Sequence, residues 1–306
     1  MPNGACGKGG TVLKVLVYGG TGSQARPTVT HLLQRGHLPH VLTRSNDKAA
    51  DLRAAGAKAV VADMRDFDQL CAASNDMDAV AFLLPAFLDD PDDGIRIGQN
   101  AIDAARRAGV RMFVWNTSGE VSDDDSGPNT KLAILRHLQS STLPYVLLEP
   151  TTYMENWLGP WTAPSVRDKN VLTYPVLAEC KVGWIASDDV GALVVAALEQ
   201  PQLAGNRYRI SGIEAPTGAE LAAIFSAACN KDIQYRTMTP EEMGAVLDAS
   251  FGAGAGDNVA EMYRREQNDP DPPPKFHDMT SVLKMLPIKM STISEWVKIN
   301  RQAFVG

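Results

Sequence analysis

The segment VLKVLVYGGTGSQA, Val12 to Ala25, decides the reading of this 306-residue chain. Val12 to Val17 is apolar and rich in β-branched residues, which predicts a buried strand, and Gly19, Gly20 and Gly22 follow at once as a tight turn. Gly19, Gly22 and Ala25 fit G-x-x-G-x-x-A, in which small residues let the backbone approach a pyrophosphate at a helix N-terminus. Thr21, Ser23 and Gln24 add hydroxyl and amide groups on the rim. Glycines after a strand also mark ordinary turns, so context has to decide. Residues 25–35 predict a helix with Val29, Leu32 and Leu33 on one face, stopped by Gly36, and His40 to Thr43 predict a second strand. Together they make a βαβ unit of about 30 residues, the length of a dinucleotide-binding unit. In such units an acidic residue about 20 positions beyond the glycines holds the ribose of NAD, whereas an Arg accommodates the 2′-phosphate of NADP. Here the second strand ends at Arg44, with Lys48 one turn on, which predicts NADP(H).

Working outward, residues 47–55 predict a helix and 58–63 a third strand. Asp63 and Met64 then lie at the adenine end of a bound dinucleotide, and Asp63 is also the expected cap of a helix over 66–74. A fourth strand over 78–85 ends at Leu84 and Pro85, on the side where open α/β sheets bind ligands. The acidic run Asp89, Asp90, Asp92, Asp93 lacks calcium-loop spacing and reads as a solvated loop before a helix over 94–109. A fifth strand over 110–116 runs into Thr117, Ser118 and Gly119, where the hydroxyls either face a nicotinamide or cap the turn. Residues 123–128 predict a turn, 129–140 a helix containing Lys131, and 144–148 a sixth strand.

Beyond Glu149 the pattern changes. Pro150, Pro160, Pro164 and Pro175 break up a stretch rich in aromatics, Tyr153, Trp157, Trp161 and Tyr174, which predicts the lining or lid of a pocket. Tyr153 and Trp157 also read singly as core anchors of a second lobe. An amphipathic helix over 188–199, a late strand over 207–210 that extends the sheet, and a helix over 217–229 with a capping box at Thr217 and Glu220 follow. The last third predicts short helices over 240–250, 258–267 and 291–304, separated by flexible stretches at 252–256 and 269–274. The expected organisation is a flexible tail (1–11), an NADP-binding Rossmann domain (12–150) with a doubly wound parallel sheet, and a smaller, mainly helical substrate lobe (151–306). Segment 184–230 is expected to pack back on the Rossmann domain.

At 44% hydrophobic and 21% charged, the composition is that of a globular protein, and a formal net charge of −7 argues against a general nucleic-acid surface. Cys6, Cys71, Cys180 and Cys229 are scattered with no metal-ligand spacing, so no metal site is expected and the thiols read as reduced, in a cytoplasmic protein. No run approaches a membrane span, and residues 1–10 lack the apolar core of a secretory signal.

Four stretches resemble the NmrA-like family of atypical short-chain dehydrogenases/reductases. They are the GGTGSQA turn with Arg44 and Lys48; Lys131 followed by Leu143, Pro144 and Tyr145; PTTYMENW from Pro150 to Trp157; and WIASDDVG from Trp184 to Gly191. The resemblance implies a Rossmann domain preferring NADP(H), with a C-terminal lobe making a cleft over the nicotinamide. Pro150 and Tyr153 would border the cofactor, and Tyr153, Asn156 and Trp157 the substrate. Related reductases use Ser, Tyr and Lys, the last two in Y-x-x-x-K; here Lys131 matches the lysine and Ser118 the serine, but Gly127 occupies the tyrosine position. The resemblance therefore leaves two functions open. One is an NADPH-dependent reductase of a small carbonyl, quinone or unsaturated substrate; the other is a non-catalytic NADP(H)-sensing regulator with a protein partner. It leaves monomer and homodimer open as well.

Overall fold

In the computed structural model, which describes residues 11–85, 88, 91–124, 129–272 and 274–306, the apolar run becomes strand β1 (Lys14–Val17), with Val15, Leu16 and Val17 shut off from solvent. The glycine turn leads into α1 (Arg26–Gln34), whose first turn carries Pro27. Gly36, at φ 76°, ends it, because the Gly36 and His37 N–H groups satisfy the Leu33 and Leu32 carbonyls. β2 (Leu38–Thr43) returns parallel to β1. The alternation continues through α2 (Asn46–Ala54), β3 (Lys58–Val61), α3 (Phe67–Ser74), β4 (Ala79–Leu83), α4 (Pro91–Arg107), β5 (Met112–Asn116), α5 (Thr130–Ser140) and β6 (Tyr145–Pro150). Next come a 3-10 turn (Met154–Leu158), α6 (Ala163–Lys169), β7 (Val171–Tyr174), α7 (Ser187–Leu198), β8 (Arg207–Ile210), α8 (Gly218–Cys229), β9 (Gln234–Thr237), α9 (Pro240–Phe251) and α10 (Asp257–Asn268). The chain ends in α11 (Thr280–Met285), α12 (Ile293–Ile299) and α13 (Gln302–Val305).

Seven strands form one sheet in the order β3-β2-β1-β4-β5-β6-β8, every neighbouring pair parallel. The order reverses between β1 and β4, so a crevice opens beyond their carboxyl ends, where such sheets bind ligands. The late strand is held in place by charge as well as by its ladder. The fully buried Glu149 carboxylate of β6 pairs with the Arg207 guanidinium of β8, and it also accepts the Val121 N–H at 2.8 Å. Among the described residues, no helix is long and apolar enough to cross a membrane.

Several expectations are corrected. The helix over 188–199 is not amphipathic: in α7 every residue but Asp188 is buried. One side of it lies on α1 so closely that a Cβ on Gly191 would sit 2.7 Å from the Thr28 nitrogen. Met279, Val282, Leu286 and Met290 from the C-terminal region join the same core, a covering that local sequence does not announce. Segment 184–230 divides: Ile185 and the residues from Val190 to Ile210 contribute to the Rossmann core, but Trp184, Ala186 and, in α8, Leu221, Phe225 and Cys229 belong to the lobe. The lobe is mainly helical, as expected, and adds one short parallel strand pair, β7 with β9. Asp66, not Asp63, caps α3, accepting the Gln69 N–H at 3.0 Å. Asp92 and Asp93 belong to the first turn of α4, where negative charge suits the helix dipole. The helix predicted over 291–304 breaks between α12 and α13. The expected tail through Gly10, Asp89 and Asp90, the turn residues Asp125, Ser126, Gly127 and Pro128, and Pro273 lie outside the described residues.

The C-terminal region is tied to α7 through Asp189, whose carboxylate accepts both the N–H and the hydroxyl of Ser291 at 2.9–3.1 Å. Burial dominates those bonds and raises the Asp189 pKa to about 6. An acid whose native value lies above its unfolded value favours the fold when protonated. Its contribution is therefore fully present below pH ~4 and is lost as the pH rises through about 6. Asp189→Asn removes that titration. In urea melts between pH 4 and 7, the stability of wild type relative to Asp189→Asn is expected to fall with rising pH; a pH-independent difference would contradict the assignment.

Candidate functional site

A groove of about 670 Å³ opens at the crevice. Its floor is the glycine turn, with Gly19 at φ 71° and the Gly22 N–H bonded to the Gly19 carbonyl at 2.9 Å. A Cβ on Gly22 would stand 3.3 Å from that carbonyl, a tight approach that favours glycine there. Gly20 faces inward instead, where a Cβ would meet Val41 at 2.7 Å, so it sets how closely α1 and β2 approach. One end of the groove is basic, formed by Arg44, Ser45 and Lys48 where β2 runs into α2. Beside it a smaller cavity of about 120 Å³ is bounded by Arg44, Asp63, Met64, Arg65, Pro85, Leu88, Asp93 and Ile97. The Arg65 guanidinium grips Asp63 in a two-pronged pair and holds its pKa down at about 2, with Arg44 adding a smaller pull.

The other end is built by the chain after β6. In the 3-10 turn and the residues beside it, side chains three apart share a face. Tyr153, Asn156 and Gly159 therefore meet the groove, while Met154 and Trp157 point into the lobe. Trp161 lies against Gly159, where any Cβ would overlap its ring, and completes the wall. Asn156 Nδ2 donates to the buried Tyr174 hydroxyl at 3.0 Å. Glu155 clamps the turn from behind, accepting the Ser187 N–H at 2.9 Å and the Trp296 indole N–H at 3.1 Å. Burial pushes the Tyr153 pKa up strongly, so this phenol stays neutral; it donates to Asn116 Oδ1 at 3.0 Å.

Of the expected cofactor and substrate residues, Gly19, Thr21, Gly22, Ser23, Gln24, Arg44, Lys48, Met64, Leu84, Pro85, Tyr153 and Asn156 line the groove together, and Asp63 borders the adjoining cavity. Others stand elsewhere. Ala25 is buried at the start of α1, and Pro150 is buried at the end of β6 beside Ile210. Thr117 is also buried, its hydroxyl within bonding distance of the Gly119 and Leu148 carbonyls, so it supports the turn rather than facing the groove. Ser118 and Lys131 are half-buried at the loop after β5: the Ser118 hydroxyl donates to Gln24 Oε1 at 2.7 Å, and Lys131 Nζ lies 3.5 Å from the Ser118 carbonyl. Burial lowers the Lys131 pKa, with Glu149 opposing the shift. Trp157 is displaced most from its expected role. It is fully buried in the lobe core, 4.6 Å from Trp184 and edge-on to Phe225 and Trp296.

Sequence reading missed Glu155 and Gly159 in the wall, and it gave no role to Asn116. The three-residue period of a 3-10 turn was the signal that separates groove side chains from core ones, but nothing local marks the turn as 3-10.

The sequence matches the NmrA-like family over residues 12–297. An NAD(P)H azoreductase of Xenophilus azovorans is 30% identical over 298 residues, covering 95% of this chain and 99% of that protein. The fold is shared with Citrobacter sp. triphenylmethane reductase complexed with NADP(H), at TM-score 0.77 and 18% identity over 93% of this chain and 99% of the other. It is shared also with NmrA, a negative transcriptional regulator, in complex with NADP, at TM-score 0.70 and 16% identity over 95% and 97%. The chain belongs to the NmrA-like family.

Because Trp157 packs the lobe and does not face the groove, Trp157→Ala should cost about 3–5 kcal/mol of stability in denaturant melts. Whatever fraction remains folded should keep its affinity for nucleotide; intact stability with weakened binding would return Trp157 to the site.

Proposed function

From that membership and the shape of the groove, we propose that the protein is an NADPH-dependent reductase of a small carbonyl, quinone or unsaturated substrate. The observation that carries this reading is the continuity of the groove, from the basic pair Arg44 and Lys48, across the glycine cradle, to a wall of Tyr153, Asn156 and Trp161. A dinucleotide with a 2′-phosphate needs cations at one end, main-chain donors at the middle, and a largely apolar chamber with a few polar groups beyond. The residues present meet each need, and a side chain at Gly22 would crowd the turn at the Gly19 carbonyl. NADP(H), when bound, supplies the two-electron reducing power.

The chain's own groups do the rest. Arg44 offers a fork of donors for the 2′-phosphate, and Lys48 adds charge one turn into α2. Lys131, a poorly solvated cation, holds the Ser118–Gly119 reversal and lies on the side where the ribose would rest. Ser118 orients Gln24, and Tyr153, Asn156 and Trp161 exclude water and shape the substrate end. The similarity to an NAD(P)H azoreductase supports an oxidoreductase, and the absence of a tyrosine at position 127 separates the site from the usual Ser-Tyr-Lys arrangement. That same absence, together with the likeness of fold to an NADP-bound transcriptional regulator, favours the second reading: an NADP(H) sensor acting on a protein partner.

Arg44→Ala should raise the Kd for NADPH about 10- to 100-fold, the loss of a charge-assisted contact, and leave that for NADH within about threefold. Equal effects on both nucleotides in calorimetric titrations would remove the 2′-phosphate assignment. Lys131→Ala should lower kcat about 100-fold or more with NADPH binding reduced less; unchanged turnover would show that Lys131 has no part in the reaction.

A further inference from the structure

Asn116, the last residue of β5, is 4% exposed, and its one carboxamide oxygen serves two separate parts of the site. It accepts the Ser118 N–H at 3.0 Å and the Tyr153 phenol at 3.0 Å. The first bond closes an Asx turn, which stabilises the reversal at Ser118, a non-glycine residue at φ 52°. The second leaves the sheet and reaches the residue that starts the 3-10 turn of the lobe. Ser118 extends the connection the other way, its hydroxyl donating to Gln24 Oε1 at 2.7 Å. Gln24 and Tyr153 both stand in the groove wall, Gln24 on the glycine turn and Tyr153 at the aromatic end. One buried acceptor thus lies between the two halves of the groove, and it is the one hydrogen-bond acceptor of both donors among the described residues.

We propose that Asn116 is a positioning residue that couples the two ends of the groove. NADP(H) seated on the glycine turn orders Gln24 and Ser118; Ser118 orders the Asn116 carboxamide, and Asn116 sets Tyr153 and with it the Met154–Leu158 turn that shapes the substrate end. The proposal rests on the NADP(H) reading of the groove. A hydrocarbon of the same size at this position would leave a buried N–H and a buried phenol unpaired, and a serine would be too short to serve both. The coupling is reciprocal, so whatever fills the aromatic end tightens the hold on the nucleotide by the same factor.

Hydrogen exchange of the full chain, resolved by peptide and measured with and without saturating NADP+, tests it in wild type, Tyr153→Phe, Asn116→Leu and Asn116→Asp. Tyr153→Phe keeps the ring in the groove wall and loses only the phenol. Protection by direct contact with nucleotide therefore survives it, whereas protection passed through Asn116 does not. In wild type, NADP+ should slow exchange at least fivefold over residues 19–26 and over residues 154–158. In Tyr153→Phe and Asn116→Leu the slowing over 154–158 should fall below twofold while that over 19–26 persists, and Asn116→Asp, which keeps an acceptor, should restore it. If Asn116→Leu does not fold, Tyr153→Phe decides alone. Undiminished slowing over 154–158 in Tyr153→Phe overturns the proposal, as does slowing confined to 19–26 in wild type. No slowing anywhere in wild type would overturn the NADP(H) reading itself.

Discussion

Two chain reversals meet beside the point where the strand order changes, one after β1 and one after β5, and a hydrogen bond from Ser118 to Gln24 joins them. The first is possible because Gly19 takes φ 71°; the second places Ser118 at φ 52° and Gly119 at φ 129°. Their junction, the Ser118 hydroxyl on Gln24 Oε1, ties the glycine turn to the loop after β5. The surrounding constraints serve that junction. Thr117 ties the second reversal to β6, Lys131 lies under its carbonyl, and Glu149, paired with Arg207, holds the loop beyond it through Val121. A buried ion pair of this kind adds little net stability, but removing either partner leaves a charge stranded, so its effect is to fix the geometry of the loop.

The lobe is attached by polar contacts at its rim and apolar ones in its centre. Glu155 joins the turn under the groove to the start of α7 and to Trp296 of α12, so three segments far apart in sequence converge on one carboxylate. α7 itself serves both units. It lies on α1 through Gly191 and is covered by Met279, Val282, Leu286 and Met290, so that part of the C-terminal region belongs to the Rossmann core, whereas α12 and α13 pack in the lobe. The aromatic end of the groove is thereby held by elements of both units, and its shape is set by Trp161 lying where residue 159 has no side chain.

Much of this was legible in the sequence for identifiable reasons. Strand, glycine turn, helix and strand follow from short-range patterns, and each of β1 to β6 falls where apolar runs and turn residues put it. The position of Arg44 at the tip of β2 likewise needs only the length of that strand. What was not legible depends on contacts remote in sequence. The 188–199 helix looks amphipathic until the C-terminal residues that cover its second face are in place. Trp157 and Trp161 are equivalent aromatics on paper, but the period of the 3-10 turn sends Trp157 into the core, whereas Trp161, beyond the turn, reaches the groove against Gly159. Asn116 gave no signal because its role comes from two partners, one two residues away and one across the cleft. Ser118 and Lys131 matched a pattern, but the bond from the Ser118 hydroxyl to Gln24 joins residues 94 positions apart and is not legible locally.

The most direct test of the account is to titrate the purified protein with NADPH and NADH and then follow loss of reduced-nicotinamide absorbance with a panel of quinones, enones and aryl aldehydes. The account predicts NADPH bound more tightly than NADH, and oxidation that depends on one of these substrate classes. NADPH binding with no oxidation by any of them would contradict the reductase and leave the sensor; binding of neither nucleotide would contradict the reading of the groove from Gly19 to Arg44.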